Sequence, residues 1–328
     1  MDARFQVIWE ERLRPVLETL DEKRVRLLQR RTVLGCAGLV AGSLAGIVLH
    51  WLADKGSLWS AWLVCSLIGT GGGLYWGQLA IRDFRASIKR LVNSAIFEGF
   101  GLGYEPKFVH PVRFQVFHDL GLVPGNYTKK RFEDHFHGRH GGLEFDVYEA
   151  ELTAHSGKHE VIRFRGILMR IDFPKPVEGV TVVTRDQGWL NGIEALVRDR
   201  GDRALKRVGL VDRQFEAAFQ AYASDQVMAR YVLTPDVMEG LLDIEAAFQG
   251  RKMRAAFRPG ENSPGELLVA LTANDAFEIG AMSQSLLNQD PYKRTIEEIG
   301  VVLDMVDRFV TLAGTQAQTE RARQDAGE

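Results

Sequence analysis

Histidines and carboxylates are concentrated in one stretch of this sequence, and side chains of these types can bind a metal ion. Seven of the eight histidines lie between positions 110 and 159, and the densest group is HFHGRHGGLEFD at 135–146. Residues two apart on a β-strand point to the same face, so His135 and His137 could hold one metal ion together. A carboxylate such as Glu144 or Asp146 would then complete the site from across a hairpin.

The same histidines are also typical of an exposed strand or a glycine-rich turn, and we favour this interpretation. The spacing of His135, His137 and His140 matches no fixed metal-binding signature, and no activating base is evident beside them. We therefore predict no metal and no cofactor at these residues, and we assign no catalytic residue. Two acids in apolar surroundings, Asp172 and Asp225, are interpreted as strand-end or helix-cap groups.

Composition and motifs exclude several classes of protein. The formal net charge of −2 gives no indication of a nucleic-acid partner. The only two cysteines, Cys36 and Cys65, exclude a disulfide framework, a zinc ribbon and a thioredoxin-like motif. The sequence also lacks the phosphate-binding loop, the nucleophile elbow of hydrolases and the HExxH zinc motif.

Two uncharged segments near the start of the chain predict a transmembrane hairpin. Residues 32–52 and 58–81 contain no Asp, Glu, Lys or Arg over 21 and 24 residues, respectively. At a rise of about 1.5 Å per residue, the first forms a helix of about 31 Å, which matches the hydrocarbon core of a bilayer. Trp and Tyr residues at the edges of both segments are typical of the membrane interface. Two buried helices of a soluble protein, or a cleaved signal peptide, would explain these features less well.

Basic residues predict the orientation of the hairpin. Five of them lie in residues 23–31, before the first span, and four lie in residues 82–90, after the second. The connecting segment ADKGS holds a single base, Lys55. Because Lys and Arg are enriched on the cytoplasmic side of membrane proteins, both termini are predicted to be cytoplasmic and the short loop to lie outside.

Each predicted span carries three glycines at four-residue spacing, and small residues of this kind allow helices to pack closely in lipid. These glycines are Gly38, Gly42 and Gly46 on the first span and Gly69, Gly73 and Gly77 on the second. Counted from the cytoplasmic edges, the two ridges lie at matching depths within about 3 Å, so we predict that they face each other and seal the hairpin. In the alternative interpretation one ridge contacts another subunit, which would give a homo-oligomer.

The remainder of the chain is predicted to be cytoplasmic. Apolar residues at three- and four-residue spacing predict an amphipathic helical segment at 1–31 with a break at Pro15, and a helical connector is predicted at 82–103. A mixed α+β domain is predicted at 104–313, followed by a disordered polar tail at 314–328. The predicted fold class is α+β, with a two-helix transmembrane hairpin followed by a cytoplasmic mixed α+β domain.

Local patterns predict the elements of this domain. Apolar and polar residues alternate in the segments predicted as strands, which are 143–152, 161–173, 179–185 and a late hairpin of 252–257 with 265–272. Two helices are predicted between 224 and 250, the second with Thr234 as its N-cap and Pro235 at its first position. An apolar face over residues 295–312 predicts a final helix.

Two long segments of the sequence resemble the bacterial membrane proteins of the domain-of-unknown-function 3137 family. They are FRGILMRIDFPKPVEGVTVV and FEAAFQAYASDQVMARYVLTPDVMEGLL, and a bend at Gly138 precedes EFDVYEAEL as it does in the family. The resemblance covers about residues 85–312 and is most specific at F-R-G and at Y-A-S-D-Q-V-x-A-R-Y-x-L-T-P. It implies a bacterial inner-membrane protein with a cytoplasmic α+β domain. It supplies no catalytic residues, and the histidines at 135, 137 and 140 are not part of its pattern.

Two functions are compatible with these features. The favoured one is a membrane-anchored, non-enzymatic scaffold or assembly subunit, whose partners are the lipid bilayer and another protein. The alternative is a membrane-tethered, metal-dependent enzyme that uses the histidine-rich region 135–146. A polar cleft with convergent acids and histidines would favour the enzyme, whereas an exposed apolar groove or strand edge would favour the scaffold.

Overall fold

The chain divides into a helical unit and a unit built on a β-sheet. The computed structural model describes residues 2–53, 58–111, 113–157, 159–185, 205–210, 213–273 and 276–325. The first unit contains Met1–Ile96 and Glu278–Lys293, and the second contains Phe97–Phe277 and Arg294–Glu328. The loop predicted to lie outside the membrane, with Lys55, falls mainly on residues 54–57, outside the described residues.

Long helices account for most of the first unit. They are α1 (Asp2–Ile8), a π-helical turn (Trp9–Leu13), α2 (Arg14–Ala53) and α3 (Leu58–Gly99). The π turn ends just before Pro15, and the N–H of Arg14 donates to the carbonyl of Trp9, five residues back. Because proline lacks an N–H and clashes with the carbonyl four residues earlier, a wider turn at this point lets the chain remain helical. The break predicted at Pro15 is therefore a change of helix type.

The N-terminal helical segment buries the apolar face that its sequence predicts. Its apolar side chains Phe5, Ile8, Trp9, Leu13 and Leu17 are all buried. Within the first unit, the ring of Trp9 lies 5.6 Å from that of Tyr292. The carboxylate of Asp21 accepts the backbone N–H of Leu286 at 2.7 Å, and Arg24 donates to the carbonyl of Met282 at 2.9 Å. Residues 282–292 thus cover this segment.

The apolar helices support one membrane span by length and composition. Among the described residues, one helix, Phe5–Leu52, is long and apolar enough to cross a membrane, with a mean hydropathy of 2.1 in its most apolar window. The second predicted span, inside α3, does not reach the same apolarity. Gly, Ser, Thr and Trp dilute its aliphatic residues. By this criterion the sequence predicted one span more than the structure supports.

Among its described residues, the second unit is built on a nine-stranded sheet in which all neighbouring strands are antiparallel. The strands are β1 (Gly103–Lys107), β2 (Lys129–His140), β3 (Leu143–Ser156), β4 (His159–Phe173), β5 (Thr181–Thr184), β6 (Lys206–Val208), β7 (Gln220–Ala223), β8 (Arg251–Arg258) and β9 (Gly265–Thr272). Their order across the sheet is β1-β2-β3-β4-β9-β8-β5-β7-β6. Strand β9 therefore pairs with both β4 and β8, and it is the centre of the sheet.

Both faces of this sheet carry a core. Residues of β9 are buried nearly throughout, which is why GELLVALT is an almost continuous apolar run. One cluster includes Phe117, Tyr148 and Leu168. Elsewhere Phe173 packs edge-on against Phe309 of the last helix, with ring centroids 5.0 Å apart. The prediction of an α+β fold is confirmed, as are the strands predicted around 143–152, 161–173 and 179–185 and the late hairpin.

Five further helices lie in the described part of the chain. They are α4 (Phe114–Asp119), α5 (Arg213–Ala218), α6 (Gln226–Val232), α7 (Pro235–Ala247) and α8 (Asp290–Asp325). The side chain of Thr234 caps α7 as predicted, because its oxygen accepts the N–H of Val237. Helix α8 is longer than the predicted 295–312 and continues to Asp325. It covers most of the predicted disordered tail, since TQAQTERARQD contains good helix formers and no Gly or Pro.

Glu298 in α8 is an ionisable side chain in the core of the second unit, so its ionisation should affect the stability of the fold. Its carboxylate is almost fully buried, accepts the N–H of Phe277 at 3.2 Å and lies 3.1 Å from Arg294. Burial raises the pKa of Glu298 to about 7 despite these partners. Because the folded pKa lies above the unfolded value of 4.5, ionisation opposes folding. The stability that the protonated form provides is present at low pH and is lost as the pH rises towards 7.

We therefore expect Glu298→Gln to remove the loss of stability between about pH 4.5 and pH 7. The variant should be more stable than the wild type at pH 8, by at most about 3 kcal/mol. Thermal unfolding at pH 5 and pH 8 measures the difference. Asp304→Asn, an exposed change on the same helix, is the control and should leave the pH dependence unchanged. An equal pH dependence in the wild type and Glu298→Gln would contradict the assignment.

Candidate functional site

Helices α2 and α3 approach each other closely enough that only glycine fits at the contact. A Cβ atom built on Gly38 would overlap the carbonyl oxygen of Gly69, and one built on Gly69 would overlap that of Gly38. A Cβ on Gly46 would lie 2.7 Å from the Cα of Trp62, and one on Gly77 would lie 2.7 Å from the Cα of Arg31. The remaining two, Gly42 and Gly73, would overlap the carbonyl oxygens of Cys65 and Leu34. All six glycines therefore lie against the backbone of the opposite helix.

The register of the two helices differs from the predicted one. Gly42 contacts Cys65, where the depth count predicted Gly73, a shift of eight residues or about 12 Å. Helix α2 ends at Ala53 and α3 begins at Leu58, so a short connection restricts which residues of the two helices can lie opposite each other. Depth from the cytoplasmic edge ignores this constraint. Gly69 lies against Gly38 and also approaches Gly42, whereas the other glycines lie mainly against larger residues of the opposite helix.

Polar side chains add two further contacts between these helices. The hydroxyl groups of Ser43 and Ser66 are hydrogen-bonded at 2.9 Å. Closer to the charged flank, Arg31 donates to the side-chain oxygen of Gln78 at 2.9 Å. Hydrogen bonds between helices stabilise association where water cannot compete for the same groups.

Outward-facing side chains on both helices are apolar and exposed. Trp51 and Leu52 are 83% and 77% exposed, and Trp59 and Trp76 are 76% and 73% exposed. Between these aromatic residues, aliphatic side chains such as Val40, Leu44, Val48, Leu63, Leu67 and Ile68 are exposed as well. A continuous apolar surface of this kind marks an interface with lipid or with another protein.

A bulge in β2 brings two of the predicted histidines to one face of the sheet. The pairing of β2 with β3 shifts between Glu133 and Phe136, and Asp134 has a left-handed backbone with φ of 52°. His135 lies in the bulge, and its ring stacks on that of His137 with centroids 4.8 Å apart. Phe136 instead stacks on Phe97, with centroids 4.6 Å apart. Residues two apart on a strand share a face, so the bulge decides which face the histidines occupy.

Strand β1 supplies a carboxylate to the same place. Glu105 lies directly opposite His135, and Gly103 lies directly opposite His137. The Glu105 Oε2 atom is 4.0 Å from His135 Nδ1, and one ligand atom from each of Glu105, His135 and His137 lies within 4.8 Å of the other two. Two imidazoles and a carboxylate at such distances are a set of side chains that can hold a metal ion.

A network of charged side chains contacts His135 through its Nε2 atom. His135 Nε2 lies 3.0 Å from the carboxylate of Asp146, and Asp146 lies 3.5 Å from Arg170. Arg170 also pairs with Asp172 and lies 3.6 Å from Glu266, which has no exposed surface. These contacts fix the orientation of Asp146 and, through it, the ring of His135.

Other residues singled out in the sequence lie elsewhere. His140 pairs with Asp307 of α8 at 2.8 Å. Glu144 lies opposite Arg139 in the β2–β3 pairing, and its backbone N–H donates to Asp172 at 3.0 Å. Asp172 is therefore a buried strand-end group, and Asp225 caps α6 by accepting the N–H groups of Val227 and Met228. Both interpretations as structural acids are confirmed.

Glu105 was missed in the sequence because it lies 30 residues before His135 and belongs to a strand of only five residues. A proline in GYEPK argues against a central strand, although it is accepted at a sheet edge. In the sequence, Glu105 could have been identified only as an acidic residue at the centre of the short segment GYEPK. Its pairing with the histidine strand is a tertiary property.

An apolar groove lies at the junction of α6 and α7. It has a volume of about 530 Å³ and is lined, among the described residues, by Gly209, Leu210, Arg230, Leu233, Thr234, Pro235 and Met238. The motif Y-x-L-T-P, at 231–235, supplies three of these residues. Elsewhere in α6, Val227 and Tyr231 are exposed.

Comparisons with known proteins identify a family. Residues 162–310 match the family described as Protein of unknown function (DUF3137), which confirms the resemblance found in the sequence. Among solved structures, the mycobacterial trehalose monomycolate transport factor A, TtfA, is similar with a TM-score of 0.34 and 11% identity, over 66% of this chain and 93% of that chain. No curated protein matches the chain.

The contact between Gly38 and Gly69 allows a test by double substitution. Gly38→Ile and Gly69→Ile should each separate the helices, since the added side chain meets backbone that cannot move aside, and we expect each to cost about 1–3 kcal/mol or more. The double variant should cost less than the sum, because the first change already removes the contact. Thermal stability of the detergent-solubilised protein is the measurement.

Gly71→Ile and Gly72→Ile are matched controls on the same helix, because a Cβ at either position would meet no described atom within 4 Å. They should leave the thermal stability nearly unchanged. Full additivity of Gly38→Ile and Gly69→Ile would contradict the contact. A change of mass in either control variant would instead support a contact between subunits.

Proposed function

We propose that this chain, which belongs to the family described as Protein of unknown function (DUF3137) through residues 162–310, is an integral protein of the bacterial inner membrane. In this proposal α2 and α3 both cross the bilayer, and the α+β unit is a cytoplasmic domain that acts as a non-enzymatic scaffold or assembly subunit. The observation that carries the proposal is the arrangement of the helix pair, with glycines between the helices and apolar side chains facing outward.

The burial of the helix pair supports its membrane position. Only 17% of the most apolar window of the first helix is buried within the protein. Helix α3 contacts α2 from Gly38 to Gly46, so it must lie in the same layer as α2. If α2 crosses the bilayer, α3 therefore crosses it too, and its lower hydropathy reflects the glycines of this contact. The six glycines seal the hairpin in this proposal.

The orientation follows from charge. Bases lie next to the apolar parts of the two helices, at residues 23–31 in α2 and 82–90 in α3, whereas the connecting segment holds only Lys55. In the proposed topology both termini and the α+β unit are cytoplasmic, and the protein crosses the membrane twice.

The groove at Leu210, Leu233 and Met238 supports a role in binding another protein. Its lining is largely apolar. Apolar grooves with a few polar groups at the rim, here Arg230 and Thr234, accept apolar side chains of a partner. We propose a protein as the occupant.

The alternative function, a membrane-tethered metal-dependent enzyme, is supported by the convergence of Glu105, His135 and His137. A general base must be available to take up a proton. The nearby aspartates are instead engaged, since Asp146 contacts His135 and Arg170, Asp172 pairs with Arg170, and Asp134 accepts the hydroxyl of Tyr104. We therefore favour the scaffold.

Cysteine labelling tests the topology. In a Cys36→Ala, Cys65→Ala background, a cysteine introduced by Ser57→Cys should react with a membrane-impermeant reagent in intact spheroplasts. Ser156→Cys, at an exposed end of β3, should react only after the membrane is opened. Labelling of Ser156→Cys in intact spheroplasts, with protection of Ser57→Cys, would reverse the topology. Labelling of both in intact spheroplasts would point to a single span.

Photo-crosslinking in intact cells tests the groove. A photoreactive amino acid in place of exposed Arg230 should crosslink to one defined protein, and the same residue in place of Ser156, away from the groove, should not. The added change Leu210→Ser should weaken the crosslink severalfold, because it removes apolar surface from the lining. Equal crosslinking from both positions, or no effect of Leu210→Ser, would count against the groove as a binding site.

A further inference from the structure

We infer that Glu105, His135 and His137 bind a divalent transition-metal ion of the zinc class at the β1 edge of the sheet. This inference assigns a ligand to the α+β unit and goes beyond the proposed scaffold function. It also reverses the expectation from the sequence, in which these histidines were predicted to hold no metal.

The strongest indication of a metal site is the hydrogen bonding of the two ring nitrogens of His135. The residue is 8% exposed, and its Nδ1 atom is buried with no hydrogen-bond partner among the described residues. Buried polar atoms are normally hydrogen-bonded, so an unpartnered one requires an explanation. Because Nε2 lies 3.0 Å from the carboxylate of Asp146, the ring proton belongs on Nε2. A neutral ring then presents a lone pair at Nδ1, the form in which histidine binds a metal.

Glu105 lies near Nδ1, and His137 lies against the face of the His135 ring. Glu105 Oε2 is 4.0 Å from Nδ1, and the ring of His137 is stacked at a centroid distance of 4.8 Å. Ligand atoms around one tetrahedral zinc ion are about 3.4 Å apart when each bond is about 2.1 Å. The three groups are therefore close to the required separation, and exposed Glu105 is free to close the remaining distance by a rotamer change.

Gly103 makes room for the second histidine. It lies directly opposite His137, and a Cβ built on it would lie 2.7 Å from both Cε1 and Nε2 of that ring. Any larger residue at 103 would displace the imidazole from the cluster. A glycine at this position of an edge strand therefore positions the ring, although it does not touch the ion itself.

The buried charges behind the site match the support that metal-binding histidines require. A ligating histidine usually donates its second N–H to a carboxylate, which fixes the ring and makes the free nitrogen more basic. Asp146 has this role, and it is held in turn by Arg170 at 3.5 Å. Two imidazoles with one carboxylate suit zinc and neighbouring transition metals, whereas calcium and magnesium prefer oxygen ligands throughout.

The test uses full-length protein in detergent, without a histidine tag and after treatment with a chelator. Titration with Zn²⁺ should give one tight site per chain, and Co²⁺ should give the visible absorption bands of a low-symmetry, four- or five-coordinate site. Glu105→Gln and His135→Ala should each weaken Zn²⁺ binding by at least tenfold. Asp146→Asn and Gly103→Ala, which change positioning residues, should weaken it about 10–100-fold without removing a ligand.

His140→Ala is the matched control, because His140 is an exposed histidine that pairs with Asp307 outside the cluster. It should bind Zn²⁺ like the wild type. Thermal unfolding with and without Zn²⁺ gives a second measurement, in which the ion should stabilise the wild type and His140→Ala but not Glu105→Gln. Since Glu105 is exposed, Glu105→Gln remains informative even if His135→Ala fails to fold.

Two results would overturn the inference. One is a Zn²⁺ affinity that is unchanged in Glu105→Gln and Asp146→Asn. The other is an equal loss of affinity in His140→Ala, which would place the ion elsewhere in the histidine-rich region.

Discussion

The sheet depends on the neutralisation of one buried charge. Glu266 in β9 has no exposed surface, and three arginines face its carboxylate: Arg113 at 3.1 Å, Arg258 at 2.5 Å and Arg170 at 3.6 Å. An ionised carboxylate away from water is stable only when it is paired and hydrogen-bonded. The arginines come from the start of α4, from β8 and from β4, so the central strand is tied to three other segments by one side chain. Loss of one partner from such a site costs about 3–5 kcal/mol.

The same network of charged side chains connects the central strand to the edge of the sheet. Arg170 connects Glu266 to Asp146, and Asp146 orients His135. A network that stabilises the centre of the sheet thus also fixes an imidazole nitrogen beside Glu105. Proposed metal binding and proposed partner binding are compatible, because three protein ligands leave a coordination position for a water molecule or for a group from another molecule.

A different constraint governs the helix pair. In the proposed membrane position, lipid provides no hydrophobic force between helices, so their association depends on close backbone contact and on hydrogen bonds. The six glycines allow the close backbone contact, and the hydroxyl groups of Ser43 and Ser66 form one of the hydrogen bonds. The outer surface of the pair is left to aliphatic and aromatic side chains. Together these features suit an anchor that holds a folded domain at a membrane, which is the basis of the proposed scaffold role.

The sequence by itself determined the features that arise from residues close together in the chain. The uncharged run at 32–52, the alternation in β3 and β4, and the caps at Asp225 and Thr234 all depend on neighbours within a few positions. The glycines at four-residue spacing likewise indicated that α2 and α3 approach closely.

Only the tertiary structure decided how these elements meet. The helix register is shifted by eight residues from the depth count, because it depends on contacts between residues of α2 and α3 that are far apart in the chain. The bulge at Asp134 and the pairing of β1 with β2 bring Glu105 to His135 across 30 residues of chain. Such pairings depend on packing between distant residues, and no local pattern records that packing.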